Sequence, residues 1–145
     1  MRYRGSAEAL LRRILSGKSL YRINTVVDIN NLVSLRTSHP VGSYDLQNLG
    51  SDILFRIGLA GESYKGIGKD IINITDLPVF ADASGPFGSP TSDSQRAMIR
   101  PETKKVLMII ISFTGRSDLD RSLDYAGRLL HDYAASENTE VVVVD

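Results

Sequence analysis

Cysteine is absent from this 145-residue chain, which excludes disulfides and any thiolate metal site. Histidine is scarce: His39 and His131 are the two in the chain. That is too few for a histidine-rich metal centre, and no metal or organic cofactor is expected. Long apolar runs are missing as well. The longest, Val106-Leu-Met-Ile-Ile-Ile111, is far too short to cross a bilayer, so no membrane partner is expected. The start carries no secretory pattern of basic and apolar regions, and the expected address is cytoplasmic. Net charge is missing too, with 17 basic residues against 17 acidic ones.

What is present is ordinary for a soluble globular domain: 42% hydrophobic residues and 23% charged. The length suits a single domain over residues 1–145 with a real core. The charges are unevenly spread. Arg2, Arg4, Arg12, Arg13, Lys18 and Arg22 crowd the beginning against Glu8 alone, while the last thirty or so residues are acidic. A basic beginning suits a phosphate backbone, but the pattern alone favours a solvated helix face.

Ser6 has the character of an N-cap, and Glu8 favours the positive end of a first helix. Ala7, Leu10, Leu11, Ile14 and Leu15 recur at helical spacing, Gly17 closes the helix, and Arg12 and Arg13 fall on its exposed side. A second helix is expected over about residues 25–36. Val26, Ile29 and Val33 form one stripe, Asp28, Asn31 and Leu35 another, and Pro40 and Gly42 end it. The period then changes. Ile53, Phe55 and Ile57 alternate with Leu54, Arg56 and Gly58 as in a strand, and Gly58, Gly61, Gly66 and Gly68 mark a turn-rich connection. Leu77–Ala81 reads as a short strand followed by a polar loop running to Arg96. Val106–Ser112 reads as a buried central strand because it is uninterrupted and aliphatic. Asp118 is placed to cap a last helix with Leu119, Leu123, Ala126, Leu130 and Tyr133 on one face, and Glu140–Val144 reads as a final strand. Helices at the ends and strands between them make the fold class α+β.

Several motifs fail on inspection. Gly61-Glu-Ser-Tyr-Lys-Gly66 has phosphate-loop spacing, but Ile67 stands where the lysine is required. Asn73-Ile-Thr75 matches a glycosylation sequon without other signs of secretion. No Gly-x-Ser-x-Gly elbow exists, and helix capping explains Asp118, Asp120 and Asp124 better than a cation does.

A set of short segments in order has a different weight. They are Val27-Asp-Ile-Asn-Asn-Leu-Val-Ser-Leu35, Pro40-Val-Gly-Ser-Tyr-Asp45, Phe55-Arg56 with Gly61-Glu62, Val79-Phe-Ala-Asp82, Ser84-Gly-Pro-Phe-Gly88 and Thr103-Lys-Lys-Val-Leu107. Over about residues 3–113 this pattern resembles the tRNA-editing domain of the phenylalanyl-tRNA synthetase β subunit, the B-three/B-four domain. It is similar in particular to free-standing proteins built on that domain, which share Ser6-Ala-Glu-Ala-Leu-Leu-Arg-Arg-Ile-Leu15 and Arg22-Ile-Asn-Thr-Val-Val-Asp28. Those relatives carry several dozen residues before this chain's first, so the resemblance implies a shortened start. It also implies an irregular β-sandwich core flanked by helices; in the synthetase that domain hydrolyses tyrosine wrongly attached to the tRNA for phenylalanine, so the resemblance implies hydrolysis or binding of a mischarged aminoacyl-tRNA. Such a reaction is water attack on an activated ester. It needs a held water and donors for the oxyanion rather than a strong protein nucleophile.

Residue by residue, the resemblance implies that Asn31 lies close to the pocket and that Asp45 bonds turn amides. Where the synthetase has a pocket histidine, this chain has Gly42, as free-standing members commonly do. Ser84, Gly85 and Gly88 match a glycine-rich segment lining the editing pocket, where glycine lets backbone amides approach a ligand. The synthetase's glutamate falls in a longer region here, Pro90-Thr-Ser-Asp-Ser-Gln-Arg96, with Asp93 the nearest acidic candidate. The expected site joins Asn31 and Asp93 as catalytic residues with Ser84, Gly85, Gly88, Thr91 and Ser92 as substrate contacts. Arg12 and Arg13 are the expected RNA contacts, and tRNA or aminoacyl-tRNA is the expected partner. Three readings follow: a deacylase acting on mischarged tRNA, a module that binds RNA or a small ligand without chemistry, and a protein-interaction domain. The lost histidine favours the second, and the dense polar loop argues against the third.

Overall fold

The computed structural model describes residues 11–15, 23–134 and 136–144. The expected cap Ser6, with Ala7, Glu8, Leu10 and the terminating Gly17, lies outside the described residues, as do the other basic residues of the beginning except Arg12 and Arg13. The chain forms two compact units. One comprises Met1–Val41 with Ile110–Asp145, the other Gly42–Ile109.

The first unit is helical. Residues 11–15 belong to α1, Ile23–Thr37 form α2, and Arg116–Tyr133 form α3. The stripe on α2 follows its helical period: Val26, Ile29, Leu32 and Val33 are buried, with Ile14 of α1 buried beside this set. Arg13 forks onto Asp28, donating from Nε at 3.2 Å and from a terminal nitrogen at 3.0 Å. Helix α2 stops at Thr37, three residues before Pro40, which cannot continue a helix. Ser38 turns into the left-handed region, at φ 61°, and its N–H donates to Ser34 O at 2.9 Å, a helix-stopping geometry in which serine stands for the usual glycine.

Helix α3 differs from expectation in two ways. Its cap is Gly115, without a side-chain hydrogen bond, and Asp118 sits inside the first turn. The buried face is Ser122, Ala126 and Leu129, rotated from the leucine stripe, because small residues let this helix approach α2 closely while Leu119, Leu123 and Leu130 stay half-buried. The expected strand Glu140–Val144 does not form. Val141, Val142 and Val144 are exposed, and no strand among the described residues pairs with them. High strand propensity without a neighbouring edge makes no sheet.

The second unit carries the strands. β1 (Val41–Asp45) pairs with β7 (Val106–Ile110), β2 (Leu54–Ile57) with β5 (Pro78–Asp82), β5 with β6 (Gly85–Gly88), and β3 (Ser63–Lys65) with β4 (Ile71–Asn73). Phe55 stands opposite Phe80, Tyr64 opposite Ile72, and Ala81 opposite Pro86, with a bulge between Phe80 and Ala81. Helices in one unit and antiparallel strands in the other make the fold α+β. The apolar run at β7 is a strand, but not a central one. It has one partner among the described residues, and every residue of it is half-buried. An uninterrupted aliphatic run records two partly covered faces here rather than a sheet interior.

The alternation at β2 sorts no buried face, because Leu54, Phe55 and Ile57 are all exposed on this edge strand. The glycine-rich connection hides the β3–β4 hairpin. Beside it, Arg56 forks onto Glu62 at 2.7 and 2.9 Å, and the Leu59 N–H donates to the same carboxylate at 2.6 Å, which holds Glu62 down at about 2. The stretch after β5 is likewise not all loop: it contains β6 and a short 3-10 turn, Gln95–Ala97. The core gathers Tyr44, Phe80 and Phe87. Tyr44 meets Phe87 edge-on at 4.9 Å between ring centroids.

Candidate functional site

The expected site residues after β5 divide between the two ends of β6. At its start, Ser84 and Gly85 make the turn from β5. Asp82 Oδ1 accepts from the Ser84 N–H at 3.0 Å, and Gly85 has φ 119°, open only to glycine. Arg96 closes this end. Its terminal nitrogens donate to both oxygens of Asp82 at 2.9 Å and to Gly85 O at 2.9 Å. The guanidinium holds the Asp82 carboxyl at about 2, assisted by the amides of Gly50 and Ser84 and opposed by burial.

The other end is built around a carboxylate and a phenol. Tyr44 is fully buried, and its hydroxyl donates to Asp93 Oδ1 at 2.7 Å. Two glycines make room for this pair. A Cβ on Gly42 would stand 2.9 Å from Tyr44 Cζ, and one on Gly88 would stand 2.7 Å from Asp93 Oδ1, both overlapping the Tyr44 hydroxyl still more closely. Gly42 and Tyr44 are two apart on β1 and so share a face. A histidine at position 42 therefore has no room while Tyr44 keeps this pose. The hydroxyl occupies the space that any side chain at position 42 would need.

Burial pushes the Asp93 carboxyl up, against the Tyr44 hydroxyl and the Ser89 amide, which favour its ionised form. The Tyr44 hydroxyl is pushed up as well, first by burial and then by the charge of Asp93. A carboxylate in this position is short of donors and retains capacity to accept from an ammonium group or a water.

Ser89 organises the turn between. Its Oγ accepts from the amides of Thr91 at 3.3 Å and Ser92 at 3.0 Å and lies 2.8 Å from Ser92 O as a donor. That hydroxyl is committed to the loop. Thr91 is exposed and Ser92 half-buried. The hairpin supports the same loop, with Tyr64 Oη donating to Ser92 O at 2.8 Å and Ile67 N–H to Asp93 O at 3.1 Å. Thus Gly88, Thr91, Ser92 and Asp93 share one end of β6, while Ser84 and Gly85 lie about 10 Å along the strand.

Asn31 is exposed on α2 in the helical unit, where its Oδ1 accepts from Asn30 Nδ2 at 3.3 Å. Asn30 has the structural role, also donating to Val41 O at 3.1 Å. Arg12 is exposed, whereas Arg13 is engaged by Asp28. Asp45 does bond its turn: it accepts from the Gln47 N–H at 3.0 Å and from Thr103 Oγ1 at 3.0 Å. The chief residue that the sequence left unassigned is Tyr44. Its signal was the i, i+2 spacing from Gly42, a small residue facing a large one.

Comparison with known proteins agrees with this architecture. A family model described as the B3/4 domain matches residues 1–134. The chain belongs to that family. Among curated proteins, this B3/4 chain is 29% identical over 107 residues to the phenylalanine--tRNA ligase beta subunit of Geobacter metallireducens (strain ATCC 53774 / DSM 7210 / GS-15). The match covers 72% of the B3/4 chain and 13% of that relative, so it corresponds to a small part of the longer protein. No helix among the described residues of the B3/4 chain is long and apolar enough to cross a membrane.

Proposed function

We propose that this chain is a tRNA-editing-type domain that receives the aminoacyl end of a mischarged tRNA, as a single domain working in trans. The observation that carries the reading is the Tyr44–Asp93 pair between Gly42 and Gly88, in a domain of the B3/4 family. Asp93 holds the α-ammonium group or a water, Tyr44 positions it, and the side chains of Thr91 and Ser92 contact the ester. Ser84 and Gly85 shape the start of the strand. The ester is already activated, so water attacks its carbonyl carbon without a protein nucleophile; the bond from that carbon to the tRNA oxygen breaks, and the proton lost by the water passes to the departing tRNA hydroxyl. Asn31, through its match to the family's helix, and Arg12 of α1 are the tRNA contacts proposed on the helical unit.

The non-catalytic reading has its own support in Gly42, because the family histidine is replaced by space for Tyr44. Incubating the protein with a panel of mischarged tRNAs separates the two. Release of the amino acid, lowered about a hundredfold by Asp93→Asn and by Asn31→Ala, supports the deacylase. Retention of aminoacyl-tRNA on a filter without release establishes the binding module instead. Neither release nor retention removes both.

A further inference from the structure

The helical unit contains an open hollow of about 380 Å³ formed by the end of α2 and one face of α3. Asp118, Arg121, Ser122 and Tyr125 line it from α3 at helical neighbour spacing, and Arg36, Thr37 and His39 line it from the other side. His39 forms its floor and is 5% exposed. Its backbone is satisfied, with the N–H donating to Thr37 Oγ1 at 3.3 Å and the carbonyl accepting from Ser34 Oγ at 2.8 Å. Its imidazole has no hydrogen-bond partner among the described residues. Yet no side-chain nitrogen or oxygen among those residues is both sealed and unpaired, so the ring nitrogens meet the hollow that His39 lines.

The other groups sort by what they have left to give. Thr37 Oγ1 donates to Val33 O at 2.7 Å, and Ser122 Oγ to Asp118 O at 3.0 Å. Both hydroxyl protons are committed. Asp118 is held below the usual carboxylate range, first by a hydrogen bond from the Thr114 side chain and then by Arg121, with His39 adding to the effect. Its charge is matched by the Arg121 ion pair. What remains is a set of donors: the Arg36 guanidinium, without an ion pair among the described residues, the His39 ring, the Tyr125 hydroxyl and the outer nitrogens of Arg121. The C-terminal end of α2 and the first turn of α3 bring opposite ends of two helix dipoles to the hollow, so the side-chain donors carry its preference for an anion.

We propose that this hollow binds a phosphate-type oxyanion, gripped by Arg36 and Arg121 at the rim and by a His39 N–H from the floor. Planar guanidinium groups suit such an anion because they donate in pairs. Asp118 keeps Arg121 at the rim and stands beside the anion rather than under it. The hollow is open and larger than one phosphate group, so the anion can belong to a larger molecule, either a nucleic-acid phosphate or a small phosphorylated metabolite. This site does not depend on the reading of the β6 loop.

Sulfate is the probe, titrated into the full chain at constant ionic strength against chloride and followed by NMR of the His39 ring and Arg36 side chain. Saturable shifts in both are expected, and Arg36→Gln should weaken binding by about tenfold or more. Arg36 is exposed, so this variant leaves the core intact. His39→Gln, checked for folding by circular dichroism, should weaken it further. Linear shifts that never saturate, or an Arg36→Gln affinity equal to that of wild type, would overturn the site. Competition identifies the source: a short RNA with a terminal phosphate displaces sulfate in one case, glycerol phosphate in the other. Displacement by neither would overturn the phosphate assignment.

Discussion

The two ends of strand β6 hold carboxylates of opposite temper. Asp82, with its side chain 1% exposed, is surrounded by a guanidinium fork and two backbone amides and stays ionised down to about 2. Asp93 receives a phenol and an amide, and burial pushes it up. One carboxylate has spent its acceptor capacity on the fold, while the other has kept some. Burial alone does not separate an anchor from a binding group; the count and charge of donors do.

The comparison is broken most severely at its anchored end. Arg96→Ala leaves Asp82 buried beside two amides without a cation. Because Arg96 is 31% exposed on its side chain, the expected loss is somewhat below that of a sealed pair, about 2–3 kcal/mol by urea unfolding. The double variant Arg96→Ala with Asp82→Asn should recover part of it. A single variant as stable as wild type would show that the fork is only ornamental to the fold.

At the other end, Tyr44→Phe removes one neutral donor and leaves the ring in place. The expected loss is smaller, about 1–2 kcal/mol, and the Asp93 carboxyl should move further up, followed by carbon NMR of its side chain. If Tyr44→Phe left the Asp93 titration unmoved, the hydroxyl would not be its partner in solution.

The smallest expected effect is the pH profile. Asp82 is depressed in the folded state, so its contribution is present above the ordinary carboxylate range and is lost as pH falls towards about 2. With solvent screening allowed for, it amounts to about 1 kcal/mol. Asp93 is raised, so the native state keeps its proton to higher pH than the unfolded chain does. Stability therefore declines as pH rises through the carboxylate range, and Asp93→Asn should remove that decline. Unfolding free energies of wild type, Asp82→Asn and Asp93→Asn across acid pH give the two slopes. Slopes of the same sign would dissolve the contrast.

Helices were more legible in the sequence than the sheet unit was. The Val26, Ile29 and Val33 stripe marked the buried side of α2, because a helix face is a local property of the chain. Whether a strand has one neighbour or two is not local. Among the described residues, Val106–Ile110 was recognisable as a strand but its pairing with β1 alone was not, and Glu140–Val144 has the composition of a strand and no partner. The candidate site followed the same division. Asp93 and Gly88 could be picked out from the loop, but Tyr44 comes from 49 residues away in sequence, and only the folded sheet brings its hydroxyl between them. The Arg96–Asp82 fork was missed for a related reason: 14 residues apart, the two have no helical or strand spacing to mark them.

The β3–β4 hairpin has a consequence for anyone who would transplant the loop. Tyr64 and Ile67 hold the carbonyls of Ser92 and Asp93, and Gly66 bridges to Ser94. A segment running from Gly85 to Ser94, grafted alone onto another scaffold, would leave those carbonyls without their donors and Asp93 without its phenol. The portable module is three pieces of chain: the hairpin, the Gly42–Tyr44 edge and the loop itself. Exchange between relatives is therefore expected to move these three together or not at all.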